Sequence, residues 1–265
     1  MINYRYGKKR YNPNELGSLY VDEKKITPNE QPIIYIGGQM EHRLHILEQT
    51  GLTGDHGHNM FTGSWFYDYP IFSKNKKDFN AENFSMNLLT ALKESGLRDV
   101  ILLTESYGGM VASLATQSEL IDKVIAIHPS ILGTPLANPY YLEDFNHYFN
   151  KRQKAILQAL KIAINPSYGF EQDNFNGVDL RKVDLDKILV VGSYIDEELE
   201  ENPLLLETAD MIKKVTSNRS DGVVIFEPRE FERLGIPYFI EDEHNNHLAA
   251  GTKEHIAKVY KKVIR

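Results

Sequence analysis

The feature that most constrains this chain is the stretch VILLTESYGGM at residues 100–110. Strand-forming apolar residues stop at Thr104, the chain turns, and two glycines then open a segment suited to a helix. Where a strand passes directly into a helix through x-Ser-x-Gly, the serine occupies a tight, strained turn and its hydroxyl projects above the sheet. Gly108 and Gly109 supply the small neighbours that this turn requires. The stretch therefore predicts a nucleophilic serine at Ser106, and the alternative is a plain strand-to-helix turn.

Short β-branched or aliphatic runs alternate with helix-length amphipathic stretches along most of the chain. This alternation is typical of an α/β fold with a mainly parallel, doubly wound sheet and helices on both faces. Six runs are predicted to be strands: PIIYIGG at 32–38, SWFYDYPI at 64–71, DVILLTE at 99–105, KVIAIHP at 123–129, KILVVGSYI at 187–195 and PYFIED at 237–242. The tyrosine-rich residues 1–31 indicate one or two antiparallel edge strands ahead of them.

Helix signals set the remaining organisation. Apolar residues recur at helical spacing between Asn80, which is placed to cap a helix, and Gly96, which is placed to end it. Residues 131–182 interrupt the alternation of strands and helices, and they predict a helical cap or lid over the carboxyl edge of the sheet, where open α/β folds bind ligands. We expect residues 1–265 to form one domain that carries this insertion.

The amino-acid composition excludes several classes of partner and of reactive site. The formal net charge of −7 offers no basic surface for a polyanion, so we expect no nucleic-acid partner. The lack of cysteine excludes disulfides, thiolate metal sites and a cysteine nucleophile. Residues 1–15 lack the apolar core of a signal peptide, and no apolar run approaches membrane-spanning length. We therefore expect a cytoplasmic protein with no stable membrane insertion.

The motif around Ser106 resembles the α/β-hydrolase superfamily, specifically its bacterial lipase-like or carboxylesterase branch. The family pattern is Gly-x-Ser-x-Gly, and here Thr104 occupies the position of the first glycine. After the strand KVIAIH, the segment HPSILGTPLA is similar to the lipase segment Pro-His-x-Gly-Thr-x-Leu-Ala, with His128 and Pro129 in reversed order. Because of this reversal, the resemblance assigns no function to His128. The likeness spans residues 32–265 and implies the α/β-hydrolase fold.

A serine hydroxyl needs a base near neutral pH, normally a histidine that is oriented by a carboxylate. In the resembled fold the chain order is serine, acid, histidine, and the histidine lies in the loop after the last strand. Of the nine histidines, His244, His247 and His255 lie late enough, and His255 falls within the predicted final helix. His247 precedes Leu-Ala-Ala-Gly, which is similar to the lipase pattern, so we favour His247 over His244.

Two aspartates are candidates for the acid. Asp221 lies in SDGVVIFE, which is similar to the Ser/Asn-Asp-Gly-x-Val segment that carries the acid in lipases related to a staphylococcal type. Asp196 ends KILVVGSYID, and many α/β-hydrolases hold their acid in the loop after that strand. An aspartate before a glycine is also a common turn. The resemblance favours Asp221, and Asp196 stays the alternative.

The resemblance also implies an oxyanion hole built from two backbone N–H groups. Tyr107, the residue after the nucleophile, supplies the first. PIIYIGGQM aligns with the lipase strand that ends in Val-His-Gly, which places Gly37 at the family's histidine and Gln39 at the second donor. Gly38 allows the close backbone approach that substrate binding requires at this point.

The stretch TGDHGHNMFTGSW brings Asp55, His56 and His58 together. Imidazole and carboxylate are sound zinc ligands, but a short span with three glycines is more typical of a mobile loop. We therefore predict no metal site and no cofactor. The same loop is expected to line the substrate cleft, with Phe61 and Trp65 as apolar walls.

These inferences together predict a serine hydrolase that cleaves carboxylic esters, a lipase or carboxylesterase, acting on a small-molecule ester or lipid. Ser106 attacks the acyl carbon, His247 moves the proton, and Asp221 orients the imidazole. One alternative is an acyltransferase or thioesterase that uses the same triad. Another is a catalytically decayed α/β-hydrolase acting as a binding protein, which is suggested by Thr104 and by the missing histidine at Gly37.

Overall fold

The structure, a computed structural model, describes residues 9–21, 30–38, 65–69, 77–241 and 245–263. These residues contain one eight-stranded sheet in the order β1-β2-β4-β3-β5-β6-β7-β8. The strands are β1 (Lys9–Asn14), β2 (Gly17–Val21), β3 (Ile33–Ile36), β4 (Trp65–Asp68), β5 (Val100–Glu105), β6 (Ile121–Ile127), β7 (Ile188–Gly192) and β8 (Tyr238–Ile240). All six strands that were predicted by their apolar runs are present, as are two edge strands near the N-terminus.

The sheet is parallel from β4 to β8 and antiparallel only at the edge formed by β1 and β2. β4 pairs with one edge of β3 and β5 pairs with the other edge. From β5 the chain adds β6, β7 and β8 in order on that same side of the sheet. The connection thus reverses direction between β3 and β5, and open α/β sheets bind ligands at the carboxyl ends of such strands. Ser106 directly follows β5 at this edge.

The described residues contain nine α-helices. They are α1 (Ala81–Ser95), α2 (Tyr107–Ala115), α3 (Pro139–Glu143), α4 (Lys151–Ala163), α5 (Gly169–Asn176), α6 (Pro203–Thr216), α7 (Pro228–Leu234), α8 (His247–Ala250) and α9 (Lys253–Val263). The caps predicted for the first helix are present, because the Asn80 side chain accepts from the backbone N–H of Asn83 and Gly96 adopts a left-handed φ of 75°.

Apolar cores lie on both faces of the sheet. On one face, Phe84 and Leu88 of α1 pack with Met110 of α2 in the larger core. On the other face, Ile256 and Val259 of α9 pack in a smaller core against alternate residues of the same strands. Every residue of β5 is buried, as expected for a central parallel strand that is covered on both sides.

The helical insertion lies between β6 and β7 and contains α3, α4 and α5. Its apolar residues form a separate core with α6, which includes Leu142 and Leu157 from the insertion and Met211 from α6. The insertion leaves the sheet at the carboxyl end of β6, beside the strand that carries Ser106. Within the described part of the chain, the helices fall short of the length and hydropathy needed to cross a membrane.

Candidate active site

The site begins with the backbone of Ser106, which lies between the last residue of β5 and the first residue of α2. Ser106 has φ 50° and ψ −122°, a conformation that L-residues rarely adopt. Such a backbone costs about 1–3 kcal/mol and persists only when the surroundings impose it. Three backbone hydrogen bonds do so here. The N–H of Ser106 donates to the carbonyl of Ile127 at 3.0 Å, and the carbonyl of Ser106 accepts from the N–H groups of Gly109 and Ser130 at 3.0 and 3.3 Å.

The two glycines after the serine are required by close packing. A Cβ on Gly108 would lie 2.7 Å from the carbonyl oxygen of Gly37 and closer still to that of Ile36. A Cβ on Gly109 would lie 2.5 Å from Cβ of Pro129. The start of α2 is therefore pressed against the ends of β3 and β6, which explains why the sequence carries no side chains at these two positions.

We expect Gly108→Ala to lower the free energy of unfolding by about 2 kcal/mol or more, because its methyl group would have to displace backbone atoms. Gly251→Ala is the matched control: its Cβ would meet nothing nearer than 3.7 Å, so we expect a change within about 0.5 kcal/mol. Urea unfolding monitored by circular dichroism measures both variants. Equal stability of the two would show that the elbow is not as tightly packed as the structure indicates.

Three side chains converge in one hydrogen-bonded line at the elbow. Oγ of Ser106 lies 2.9 Å from Nε2 of His247, and Nδ1 of His247 lies 2.8 Å from Oδ2 of Asp221. The backbone N–H of His247 also donates to the carbonyl of Asp221 at 3.0 Å, which joins the loops that carry the two residues. His247 is the first residue of α8, and the Asn246 side chain caps that helix by accepting from the N–H of Ala249.

Asp221 is fully buried and held by its own loop. Its Oδ1 accepts from the backbone N–H groups of Val223 and Val224 at 3.0 and 2.8 Å, which leaves Oδ2 to face the imidazoles. Burial alone would raise the pKa of the Asp221 carboxyl, but His247 and His128 outweigh it and hold this pKa well below its usual range. Asp221 is therefore an ionised acceptor.

The alternative residues are placed differently. Asp196 is exposed, and its Oδ1 accepts from the backbone N–H of Glu198 at 2.9 Å, as in a turn. His255 lies on α9, with Nε2 3.1 Å from Oε1 of Glu241. His244 lies outside the described residues. Of the sequence candidates for acid and base that the structure describes, only Asp221 and His247 lie in line with Ser106.

Two titratable residues at the site were not expected from the sequence. Glu105, the last residue of β5, is buried with Oε1 3.8 Å from Nε2 of His247. His128, just after β6, has Nδ1 2.8 Å from Oδ2 of Asp221 and Nε2 3.0 Å from Oε2 of Glu241. The position of His128 at the carboxyl end of the strand next to β5 was a usable signal, but the reversed order of His128 and Pro129 concealed it.

The electrostatics around His247 favour its protonated form. Burial lowers the pKa of this imidazole, but the carboxylates of Asp221 and Glu105 outweigh burial and leave the pKa above its usual value. His128 opposes this rise through the repulsion of like charges. The imidazole can therefore accept a proton from Ser106 while two carboxylates stabilise the cation that results.

The first predicted oxyanion donor, Tyr107, is anchored by its side chain. Because Tyr107 is the first residue of α2, its backbone N–H does not belong to the helical hydrogen-bond ladder. Its buried hydroxyl donates to Oδ2 of Asp173 at 2.8 Å, and the same oxygen accepts from the backbone N–H of Ala81 at 2.6 Å. Asp173 thus joins the starts of α1 and α2 and holds the elbow in place.

The other predicted binding residues divide into three groups. Gly38 lies against the elbow, since a Cβ built on it would lie 2.7 Å from Cβ of Ser106. Trp65 lies at the amino end of β4 in the larger core, 9% exposed and next to Tyr11, so the structure does not bring it to Ser106. Gln39 and Phe61 lie outside the described residues.

Two overlapping groups of described residues place imidazole and carboxylate atoms within 4.8 Å of one another. They are His128 with Glu241 and His255, and His128 with Asp221 and His247. The rings of His128 and His247 lie at hydrogen-bond distance from the carboxylates of Asp221 and Glu241, so their N–H groups and these carboxylates satisfy one another directly. Asp55, His56 and His58, whose spacing is compatible with zinc binding, lie outside the described residues.

Comparison with known proteins identifies solved structures with a similar fold. No family model and no curated protein matches the chain in sequence. Among solved structures, the esterase EaEST from Exiguobacterium antarcticum matches at 15% identity and a TM-score of 0.50, over 97% of this chain and 99% of that one. A candidate aryl esterase from Burkholderia cenocepacia matches at 13% identity and a TM-score of 0.53, over 97% of each chain. At these identities the likeness concerns the fold alone, and it confirms the predicted fold class.

Proposed function

We propose that this chain, whose fold is that of the α/β-hydrolase superfamily, is a serine hydrolase that cleaves carboxylic esters. The observation that carries the proposal is the unbroken line from Oγ of Ser106 through His247 to Oδ2 of Asp221, with separations of 2.9 and 2.8 Å. A serine on a strained elbow, a histidine in contact with it and a buried carboxylate behind the histidine together make an activated nucleophile.

In the proposed reaction, Oγ of Ser106 attacks the acyl carbon while Nε2 of His247 removes the hydroxyl proton. The carbonyl oxygen becomes an oxyanion, which the backbone N–H of Tyr107 stabilises together with that of Gln39, the second predicted donor. His247 then gives its proton to the leaving alcohol, and an acyl-enzyme forms on Ser106. Water, deprotonated by His247, attacks this intermediate; the acyl–Oγ bond breaks, His247 returns the proton to Oγ of Ser106, and the carboxylic acid leaves.

Asp221 contributes by fixing the tautomer of His247. Since an ionised carboxylate only accepts hydrogen bonds, Nδ1 of His247 must carry the proton, and Nε2 then presents a lone pair to Ser106. The N–H groups of Val223 and Val224 hold the carboxylate in this orientation. Glu105 adds a second negative charge on the Nε2 side, which stabilises the imidazolium that forms during attack.

The test is covalent labelling with a fluorophosphonate, which reacts with activated serines, followed by mass spectrometry of the labelled peptide. We expect one label, on Ser106, and turnover of p-nitrophenyl esters by the labelled protein to fall in proportion to the label. A panel of p-nitrophenyl esters of increasing acyl length then ranks the acyl groups. No labelling at Ser106 and no ester turnover would instead favour the decayed binding protein.

A further inference from the structure

His128 carries a second imidazole into the active site, and it is more deeply buried than His247. Its side chain has no exposed surface, and both of its ring nitrogens face carboxylates. Nδ1 lies 2.8 Å from Oδ2 of Asp221, and Nε2 lies 3.0 Å from Oε2 of Glu241. Oδ2 of Asp221 is therefore shared between two imidazoles, those of His128 and His247.

The structure around His128 holds its ring in this bridge. The residue has a left-handed φ of 43°, and its backbone N–H donates to the carbonyl of Val191 at 2.8 Å. The ring of Phe226 stacks on the imidazole with centroids 6.1 Å apart, and a Cβ on Gly192 would lie 3.1 Å from Cδ2 of His128. A strained backbone and tight packing of this kind at a buried polar residue point to a functional constraint.

The two contacts determine the protonation state of His128. Ionised carboxylates offer only lone pairs, so each ring nitrogen that faces one must carry a hydrogen, and a ring with two N–H groups is a cation. A neutral His128 would aim a nitrogen lone pair at a carboxylate oxygen about 3 Å away, which is repulsive. Burial lowers the pKa of His128, but hydrogen bonds to Asp221 and Glu241 outweigh it and raise the pKa to about 9.

We propose that His128 is a positioning residue of the active site, a permanently protonated imidazolium that holds Oδ2 of Asp221 and opposes protonation of His247. The inference rests on the proposed hydrolase function only where it concerns catalysis. Ester cleavage by the triad does not need His128, because Asp221 alone sets the tautomer of His247. What His128 adds is a fixed positive charge on the far side of the triad acid.

This charge acts on His247 together with the other ionisable groups that face the cluster. The rings of His128 and His247 have centroids 6.4 Å apart, and those of His128 and His255 lie 6.0 Å apart. Asp221 and Glu241 contact His128 directly, and Glu105 faces His247 from β5. Two cations at 6.4 Å repel, so His128 disfavours protonation of His247. His247 therefore remains able to act as a base at lower pH.

The first experiment is His128→Gln, which replaces the cation with a neutral group that still donates a hydrogen bond to Asp221. We expect the acidic limb of the pH profile of kcat/KM for p-nitrophenyl acetate to move to higher pH by about one unit. His147→Gln, at an exposed histidine, is the matched control, and its profile should coincide with that of the wild type. An unchanged acidic limb in His128→Gln would overturn the proposal.

The second experiment needs no activity. In Ser106→Ala protein labelled with ¹⁵N, we expect NMR to show both ring nitrogens of His128 protonated between about pH 6 and 8. Adding His128→Gln should raise the pKa of His247 by about one unit. Glu241→Gln keeps the bond to Asp221 but removes one carboxylate, so His128 should lose its second ring proton at lower pH than in the wild type.

These measurements separate the inference from the proposed function. If the protein turns over no ester, yet His128 is doubly protonated and its loss raises the pKa of His247, the electrostatic role stands and the hydrolase proposal falls. A singly protonated His128 at neutral pH would overturn the inference while ester turnover stood. Stoichiometric zinc on Nε2 of His128 would overturn it too, since a metal-bound nitrogen carries no proton.

Discussion

Ser106→Ala is expected to lower kcat for p-nitrophenyl acetate by about a million-fold. The three triad residues act together, so loss of the nucleophile costs about as much catalysis as loss of all three. The variant should keep the wild-type fold. Its Cβ remains, so the elbow retains its packing against Gly38, and only the 2.9 Å contact with Nε2 of His247 is lost. Steady-state assays of the purified variant measure the effect, at enzyme concentrations high enough to detect residual turnover.

The matched control is Ser118→Ala. Ser118 lies half-buried in the turn after α2, where Oγ accepts from the backbone N–H of Leu120 at 3.3 Å, and it contacts none of the triad residues in the structure. We expect its turnover to stay within about twofold of wild type. If fluorophosphonate labelled Ser106→Ala as fast as the wild-type protein, another residue would be the nucleophile.

The second large effect is expected from Asp221→Asn, which should lower kcat by about 10⁴-fold. The structure dictates how the asparagine would be oriented. Its carbonyl oxygen must accept from the N–H groups of Val223 and Val224, so the NH₂ group takes the place of Oδ2 and faces Nδ1 of both His247 and His128. Two donors cannot face each other, so His247 shifts its proton to Nε2 and can no longer accept one from Ser106.

Asp196→Asn is the control for the acid, and we expect it to keep turnover within about twofold of wild type, because Asp196 is exposed and bonded to its own turn. The pair of variants decides between the two aspartates that the sequence left open. If Asp196→Asn lost activity and Asp221→Asn kept it, the acid would be Asp196 and the observed line of hydrogen bonds would not be the catalytic one.

Much of the fold could be predicted because its signals are local. The apolar runs, the cap at Asn80 and the stop at Gly96 depend on neighbours within a few residues, and the structure places strands and a helix where they indicate. The elbow at Ser106 is equally local, since a strand, two glycines and a helix are contiguous in sequence. Burial of Trp65 could not be predicted in this way, because it depends on the pairing of β4 with strands distant in sequence.

The sequence by itself determined a parallel α/β sheet and a serine on a tight turn at its edge. The spacing of apolar residues predicts the strands and helices, and the small glycines after Ser106 permit the turn. Only the tertiary structure placed Asp221 rather than Asp196 against His247, because both aspartates lie in the connection between β7 and β8 and only chain packing decides which carboxylate reaches the imidazole. It also decided the place of His128, whose two carboxylate partners lie 93 and 113 residues away along the chain. Contacts over such separations depend on how the strands are ordered, which no local pattern encodes.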